Sequence, residues 1–202
     1  MQAGWSAECG ANDPVLVVPW DDPANPASHY VDLREDPYEL DHIPEAEAHP
    51  ALLQALRALN ATRSPVFTAK CDAWLCDADE LDTIQAELDL PEAEAAHGFA
   101  SYIDLLFRDR TLFLSFHAQA QRLDRLQRLL EPLDLPNALA EATLRPALID
   151  LVTPDFSGPA EGFAVTLYLR AVGHDRAQAY ERWSRAMDAL VVILRSKELS
   201  VA

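Results

Sequence analysis

The sequence predicts an α+β protein: an antiparallel or mixed sheet of about four strands, helices packed on one face in a ferredoxin-like sandwich, and an extended N-terminal arm. Three observations predict it. Stretches beginning near Val66, Gly98, Ala142 and Gly162 read as strands, most of them with apolar and polar residues in alternation, the mark of a half-buried strand. Stripes of apolar residues at helical spacing lie between and after them. The first 48 residues follow neither period and are rich in Pro, Asp, Glu and Asn, a composition of turns and extended chain.

Residues 1–48 are therefore expected as an arm and residues 49–202 as the α+β domain. Within the arm, "VLVV" (Val15 to Val18) could form a short strand. Tyr30, Leu33, Tyr38, Leu40 and Ile43 are isolated apolar residues in a charged stretch, and they are expected to anchor the arm on the domain. "HPALLQALRALN" is a short helix: Pro50 suits its first turn, Leu52, Leu53, Leu56 and Leu59 form a stripe, and Asn60 suits its end. In "PVFTAKCDAWL" the pattern becomes period two, with Phe67, Ala69, Cys71, Ala73 and Leu75 alternating with Thr68, Lys70, Asp72 and Trp74. A helix follows, capped by Asp77 or Asp79, with Leu81, Ile84 and Leu88 turned inward.

"GFASYIDLLFR" is the next strand. After it Asp109 can cap a long helix with an inner stripe of Leu112 or Phe113, Phe116, Ala120, Leu123, Leu126 and Leu130. "TLFLSFH" would also suit a strand, but helical spacing continues unbroken to Leu130, so helix is preferred. "ATLRPALIDLV" and "GFAVTLYLRAV" are two further strands joined by the turn-rich "TPDFSGPAE". The last helix is capped by Asp175, with Ala177, Tyr180, Trp183, Met187, Leu190 and Leu194 as its stripe. Residues 98–131 and 162–196 share the run Gly-Phe-Ala, strand, aspartate cap, helix, 64 residues apart, which raises a weak internal duplication.

Composition excludes several functions. The formal charge is −17, so nucleic acid is not an expected partner, because phosphate binding requires a cationic surface. Anionic membranes are disfavoured for the same reason. No apolar run approaches a membrane span, and the N-terminus lacks the pattern of a signal peptide. Three cysteines without an export signal point to reduced thiols in a cytoplasm. Arginine far outnumbers lysine, and alanine is abundant, a composition expected of a bacterial protein.

The densest chemistry is "SPVFTAKCDAWLCDADELDTI". On a strand, Cys71 and Cys76 point to opposite faces with Cα atoms ~16 Å apart, too far for a disulfide or one metal centre. "DADELD" lacks the central Gly of a calcium loop and is expected to be a helix cap. His42, Glu45, Glu47 and His49 are acceptable ligand types, but Pro44 and Pro50 interrupt any common helical face, so no metal site is assigned. Neither a nucleophile elbow nor a glycine-rich phosphate loop is present, and no cofactor is expected.

One constellation remains. If the apolar side of the sheet packs on helices, the other side carries Thr68, Lys70, Asp72 and Trp74, then Tyr102, Asp104 and Arg108, then Thr166, Tyr168 and Arg170. Aromatic residues mixed with both charge signs suit a subunit interface or a ligand cleft. The first expectation is a non-catalytic protein acting through self-association, as a homodimer, or through a protein partner. The alternative is a small-molecule binding protein or cofactor-independent enzyme. There Lys70 and Arg170 would hold an anionic group, Asp72 or Asp104 would handle a proton, and Trp74, Tyr102 and Tyr168 would line the site.

Overall fold

Alternation along the strands becomes a mixed, open six-stranded sheet in the computed structural model, which describes residues 1–25, 28–91, 94–152 and 155–200. The strands are β1 (Gln2–Ala7), β2 (Leu16–Val18), β3 (Val66–Leu75), β4 (His97–Phe107), β5 (Ala138–Ile149) and β6 (Ala160–Gly173). Their order is β1-β5-β6-β4-β3, and β2 also pairs with β5. The four strands expected from the sequence are β3 to β6, joined by antiparallel pairing. The other two come from the arm: β1 and β2 run parallel to β5, one on Leu139–Leu144 and the next on Ala147–Ile149. Short segments with neither strong alternation nor length carry little strand signal, which is why β1 escapes a reading of periodicity.

The helices are α1 (Pro44–Ala48), α2 (Pro50–Asn60), α3 (Ala78–Leu88), α4 (Arg110–Phe113), α5 (Phe116–Leu130), α6 (Arg176–Leu194) and α7 (Lys197–Ser200). Helices α2, α5 and α6 cover one sheet face. Leu52, Leu56, Leu123, Leu126, Trp183 and Met187 meet the alternate strand residues Ile103, Leu105, Leu167 and Leu169 in the main core. Trp183 is fully buried, and its indole N–H donates to Ser101 Oγ at 2.9 Å, so its polar edge is satisfied where its rings are packed.

The helices are not confined to that face. Val172 and Gly98 alternate with the residues of the main core, and α3 packs over them through Ile84 and Leu81. A capping box, with Asp77 accepting from the Glu80 N–H and Glu80 from the Asp77 N–H, starts α3 at the end of β3. At the opposite end of the same face a second core gathers Val18, Phe67, Leu106, Phe113, Ile149 and Phe156.

That second core explains a departure from the single helix expected after Asp109. Asp109 caps only the one-turn α4, and Ser115 caps α5. Phe113 belongs to the second core and Leu123 to the main one. The two cores lie on opposite sides of the sheet, so one straight helix cannot serve both. The buried Gln119 side chain fastens the corner, donating to the Phe113 and Phe163 carbonyls at 3.2 and 2.8 Å.

Among the described residues, the first 48 are held to the rest of the chain at several points. Leu33 and Leu40 are buried, and Ile43 and Tyr30 are packed against the cores. Tyr38, expected among the anchors, is 82% exposed. It occupies the outer side of a 3-10 turn, Pro37–His42, whose buried residue is Leu40. A polar fastening is supplied by Arg34, which bonds Asp32 and Asp155 and lies over the Phe67 ring.

Candidate functional site

Pairing across β3, β4, β6 and β5 aligns the second face in rows. Lys70, Asp104, Thr166 and Thr143 form one row; Asp72, Tyr102, Tyr168 and Glu141 the next; Trp74, Ala100, Arg170 and Leu139 the third. A bulge between Thr68 and Lys70 shifts the register of β3. Thr68 therefore does not join this face, contrary to strict alternation: it turns toward α2, where its hydroxyl receives the Asn60 amide at 2.7 Å and its N–H donates to Asn60 Oδ1 at 3.0 Å. Arg108 is also set apart, at the end of the sheet, donating to the Asn60 and Ala61 carbonyls.

The structure thus brings together Lys70, Asp72, Tyr102 and Asp104. Arg170 stands two rows from Lys70, ~14 Å along the strand direction at the usual rise. Its guanidinium is held by Glu87 of α3 at 3.4 Å and by Glu141. Trp74 belongs to the same end, its indole N–H donating to Glu80 at 2.9 Å. Tyr102 links the two ends, with ring centroids 6.3 Å from Trp74 and 6.2 Å from Tyr168.

Asp104 is the most unusual polar group of the face, with 6% exposure. Thr166 donates a hydrogen bond to it at 2.5 Å. Burial raises its carboxyl above the ordinary aspartate range, while the Thr166 bond and the charges of Arg145 and Lys70 oppose that shift. The cysteines behave as buried thiols: desolvation, with nearby carboxylates, pushes Cys71 and Cys76 each up to about 12. Cys71 packs against the main core and Cys76 beneath α3, and all three thiols are free.

Residues that periodicity did not nominate complete the site. Trp20, from the arm, donates its indole N–H to the carbonyl of Ala69, the bulge residue, at 2.8 Å. The chain then folds back, with Tyr30 N–H on the Trp20 carbonyl at 2.8 Å and Asp21 bridged to His29. Between this loop, the turns at residues 37–45 and the outer edge of β3 lies a cleft of about 790 Å3. Lys70, Asp72 and Tyr102 line its sheet side, Trp20 and Ile43 its arm side, and Leu56 its base at α2. Lys70 Nζ sits 4.9 Å from the centroid of the Trp20 ring. No alternation within one segment could reveal Trp20, because its partner lies 49 residues away.

Charge is unevenly divided. Residues 1–107 hold 21 acidic and 4 basic side chains, and residues 108–202 hold 12 of each. The whole surplus of −17 therefore belongs to the part of the chain that forms the arm, β3, α3 and the cleft. Among the described residues, no group of three His, Cys, Asp or Glu side chains is placed to hold a metal ion. His42 is exposed beside Glu39, and His49 packs against the rings of Phe99, Tyr180 and Trp183.

The chain matches no known protein family, no curated protein and no solved structure.

Proposed function

We propose that the chain is a small-ligand-binding protein whose site is the cleft between the arm and the Lys70–Asp72 segment of β3. One observation carries this. Lys70, Asp72 and Tyr102 line a single cleft of about 790 Å3 with Trp20, a volume within the range of small-molecule sites, about 300–1,000 Å3. Its arm wall is tied down through Arg34 and Trp20, so little ordering would accompany binding. Asp104 lies next to Lys70 across the strands, where it can bias the charge of the site without lining the cleft.

Self-association or a protein partner is a second proposal, supported by exposed apolar residues on both sheet edges, Val17 on β2 and Leu75 on β3. The β3 edge is nonetheless blunted. It carries a bulge, the Trp20 contact at Ala69, and an Asp72 carboxylate that accepts from the Ala73 N–H at 2.7 Å. A dimer formed by strand pairing would therefore use the β2 edge. Light scattering that gives only monomer across micromolar concentrations would end that proposal.

The strand order β3-β4-β6-β5 and the crossover from β4 through α5 to β5 support a ferredoxin-like origin for the central four strands. Three free thiols suit a reducing bacterial cytoplasm.

A thermal-shift screen with small polar compounds tests the ligand proposal. Compounds that raise the midpoint of the wild-type protein should lose their effect in Tyr102→Leu and Trp20→Leu, and keep it in Leu114→Ser, an exposed residue that does not line the cleft. Hits that ignore both cleft substitutions would overturn it.

A further inference from the structure

Around the cleft, carboxylates come from every wall. Asp21 and Asp22 stand in the loop after Trp20, Glu39 and Glu45 on the arm's helical turns, and Asp72 on β3. The nearest fixed cation is Lys70, and among the described residues it makes no ion pair with any of them. Its ammonium instead lies over the Trp20 indole, 4.9 Å from the centroid, a cation–π arrangement. The wall formed by Trp20 thus already receives an alkylammonium, supplied by the chain itself.

The other cations of the face do not converge on the cleft. Arg170 is two rows away and held between Glu87 and Glu141. Arg145 is paired with Glu8 at 3.1 Å. An anion would find one permanent cation, Lys70, with His29 and His42, against five carboxylates, on the half of the chain that carries the entire negative surplus. The field of that half draws cations toward the cleft over distances longer than any contact.

Taking the cleft as the ligand site, we infer that its ligand is a small organic cation, an alkylammonium or guanidinium with an apolar body. Its charge lies over Trp20, in the place Lys70 Nζ holds, with Asp21 and Asp72 in reach. Its apolar part lies against Ile43 and Tyr102. Lys70 then acts as a built-in competitor: a bound cation displaces its ammonium from the indole. The volume of about 790 Å3 suits a small molecule rather than a folded partner.

Competition by Lys70 gives the test a sign. The full-length protein is titrated with two pairs of probes of matched shape and opposite charge, putrescine with succinate and phenethylamine with phenylpropionate. Binding is followed through the Trp20 indole N–H signal at physiological ionic strength, with the signal assigned by its loss in Trp20→Phe. The amines are expected to shift the Trp20 signal saturably and the acids to leave it in place. Lys70→Ala should tighten amine binding about threefold or more, because it removes a like charge and frees the ring. Trp20→Leu, which keeps the bulk of the wall, should weaken it roughly tenfold, read from backbone signals of Asp72 and Tyr102.

Weaker amine binding in Lys70→Ala would overturn the inference. Acid binding that disappears in Lys70→Ala would overturn it too, while leaving the cleft as a ligand site, now for an anion. Amine shifts spread evenly over the acidic surface, including Asp79 and Asp82 of α3, would reduce the effect to nonspecific screening and also overturn it. If neither these probes nor the compounds that stabilise the protein move the Trp20 signal, the cleft proposal falls with it.

Discussion

Arg34 lays its guanidinium 3.7 Å from the centroid of the Phe67 ring, and its N–H groups hold Asp32 and Asp155. The side chain is only 6% exposed, so a single arginine joins the arm, the first long strand and the β5–β6 connection.

Arg34→Met should therefore destabilise the protein by about 3 kcal/mol, because removing one member of a buried ion pair strands its partners. Arg34→Lys should restore only part of that loss, since an ammonium cannot form the planar stack or reach both carboxylates as a fork. Urea denaturation measures both. Limited proteolysis of Arg34→Met should cut first within residues 20–45, where the arm loses its fastening. A variant as stable as wild type would show that the pairing of β1 and β2 with β5, the Trp20 bond and the apolar contacts hold the arm without Arg34.

Asp104 predicts a pH dependence. Its carboxyl is raised by burial above the ordinary value of 3.8, so the folded protein holds this proton more tightly than the unfolded chain. Ionisation then costs stability as pH rises from 3.8 through the folded value, and no cost exists below that window. Asp104→Asn, which can still accept the Thr166 hydroxyl, should be more stable than wild type at neutral pH and lose that advantage below 3.8. Denaturation of the two proteins across pH, read as a difference, isolates this group. An advantage that grew toward acid would contradict the assignment.

Two glycines should be intolerant for a shared reason. A Cβ on Gly162 would stand 2.5 Å from the Phe113 carbonyl oxygen, and one on Gly98 would stand 2.8 Å from Cys76 Sγ. Gly162→Ala should cost about 2–3 kcal/mol as an overpacked contact against backbone that cannot swing away. Gly98→Ala should cost less, because it meets only side chains. Gly4→Ala, with nothing within 4 Å, should be close to neutral. Thermal denaturation of the three variants checks the order. Close packing also accounts for the glycine of the repeated Gly-Phe-Ala run: in each copy a helix, α3 or α4, lies directly on it.

Native thiol reactivity should be dominated by Cys9. It is exposed, and although partial burial and Asp13 raise its thiol as well, burial pushes Cys71 and Cys76 up to about 12, which leaves them little thiolate near neutrality. Alkylation followed by peptide mass mapping should label Cys9 first and the other two only after unfolding. Fast labelling of Cys76 would mean that α3 opens readily.

Period two was sufficient to put Lys70, Asp72, Tyr102 and Asp104 on one sheet face, because within a regular ladder the side of a side chain follows from parity alone. It failed at Thr68, where a bulge inserts one residue and Asn60 of α2 captures both the hydroxyl and the N–H. Leu33 and Leu40 were legible as anchors because an apolar residue in a charged stretch has one evident use. Arg34 was not: in a run of carboxylates it reads as solvated, and its burial depends on Asp155, 121 residues away. The cleft was illegible for the same reason. Lys70 and Tyr102 lie on strands whose pattern announces them, but Trp20 becomes a wall only when the arm returns to Ala69. Arg170 was nominated by parity, and parity carries no information on the two rows that separate it from Lys70.

A crystal structure of the protein soaked with a mixed set of small organic fragments tests the central claim most directly. The cleft proposal predicts fragments clustered between Trp20 and Tyr102 beside Asp72, with the Lys70 ammonium displaced from the indole. Fragments gathered at the β2 edge or over α5 and α6, with Lys70 still lying on Trp20, would contradict it.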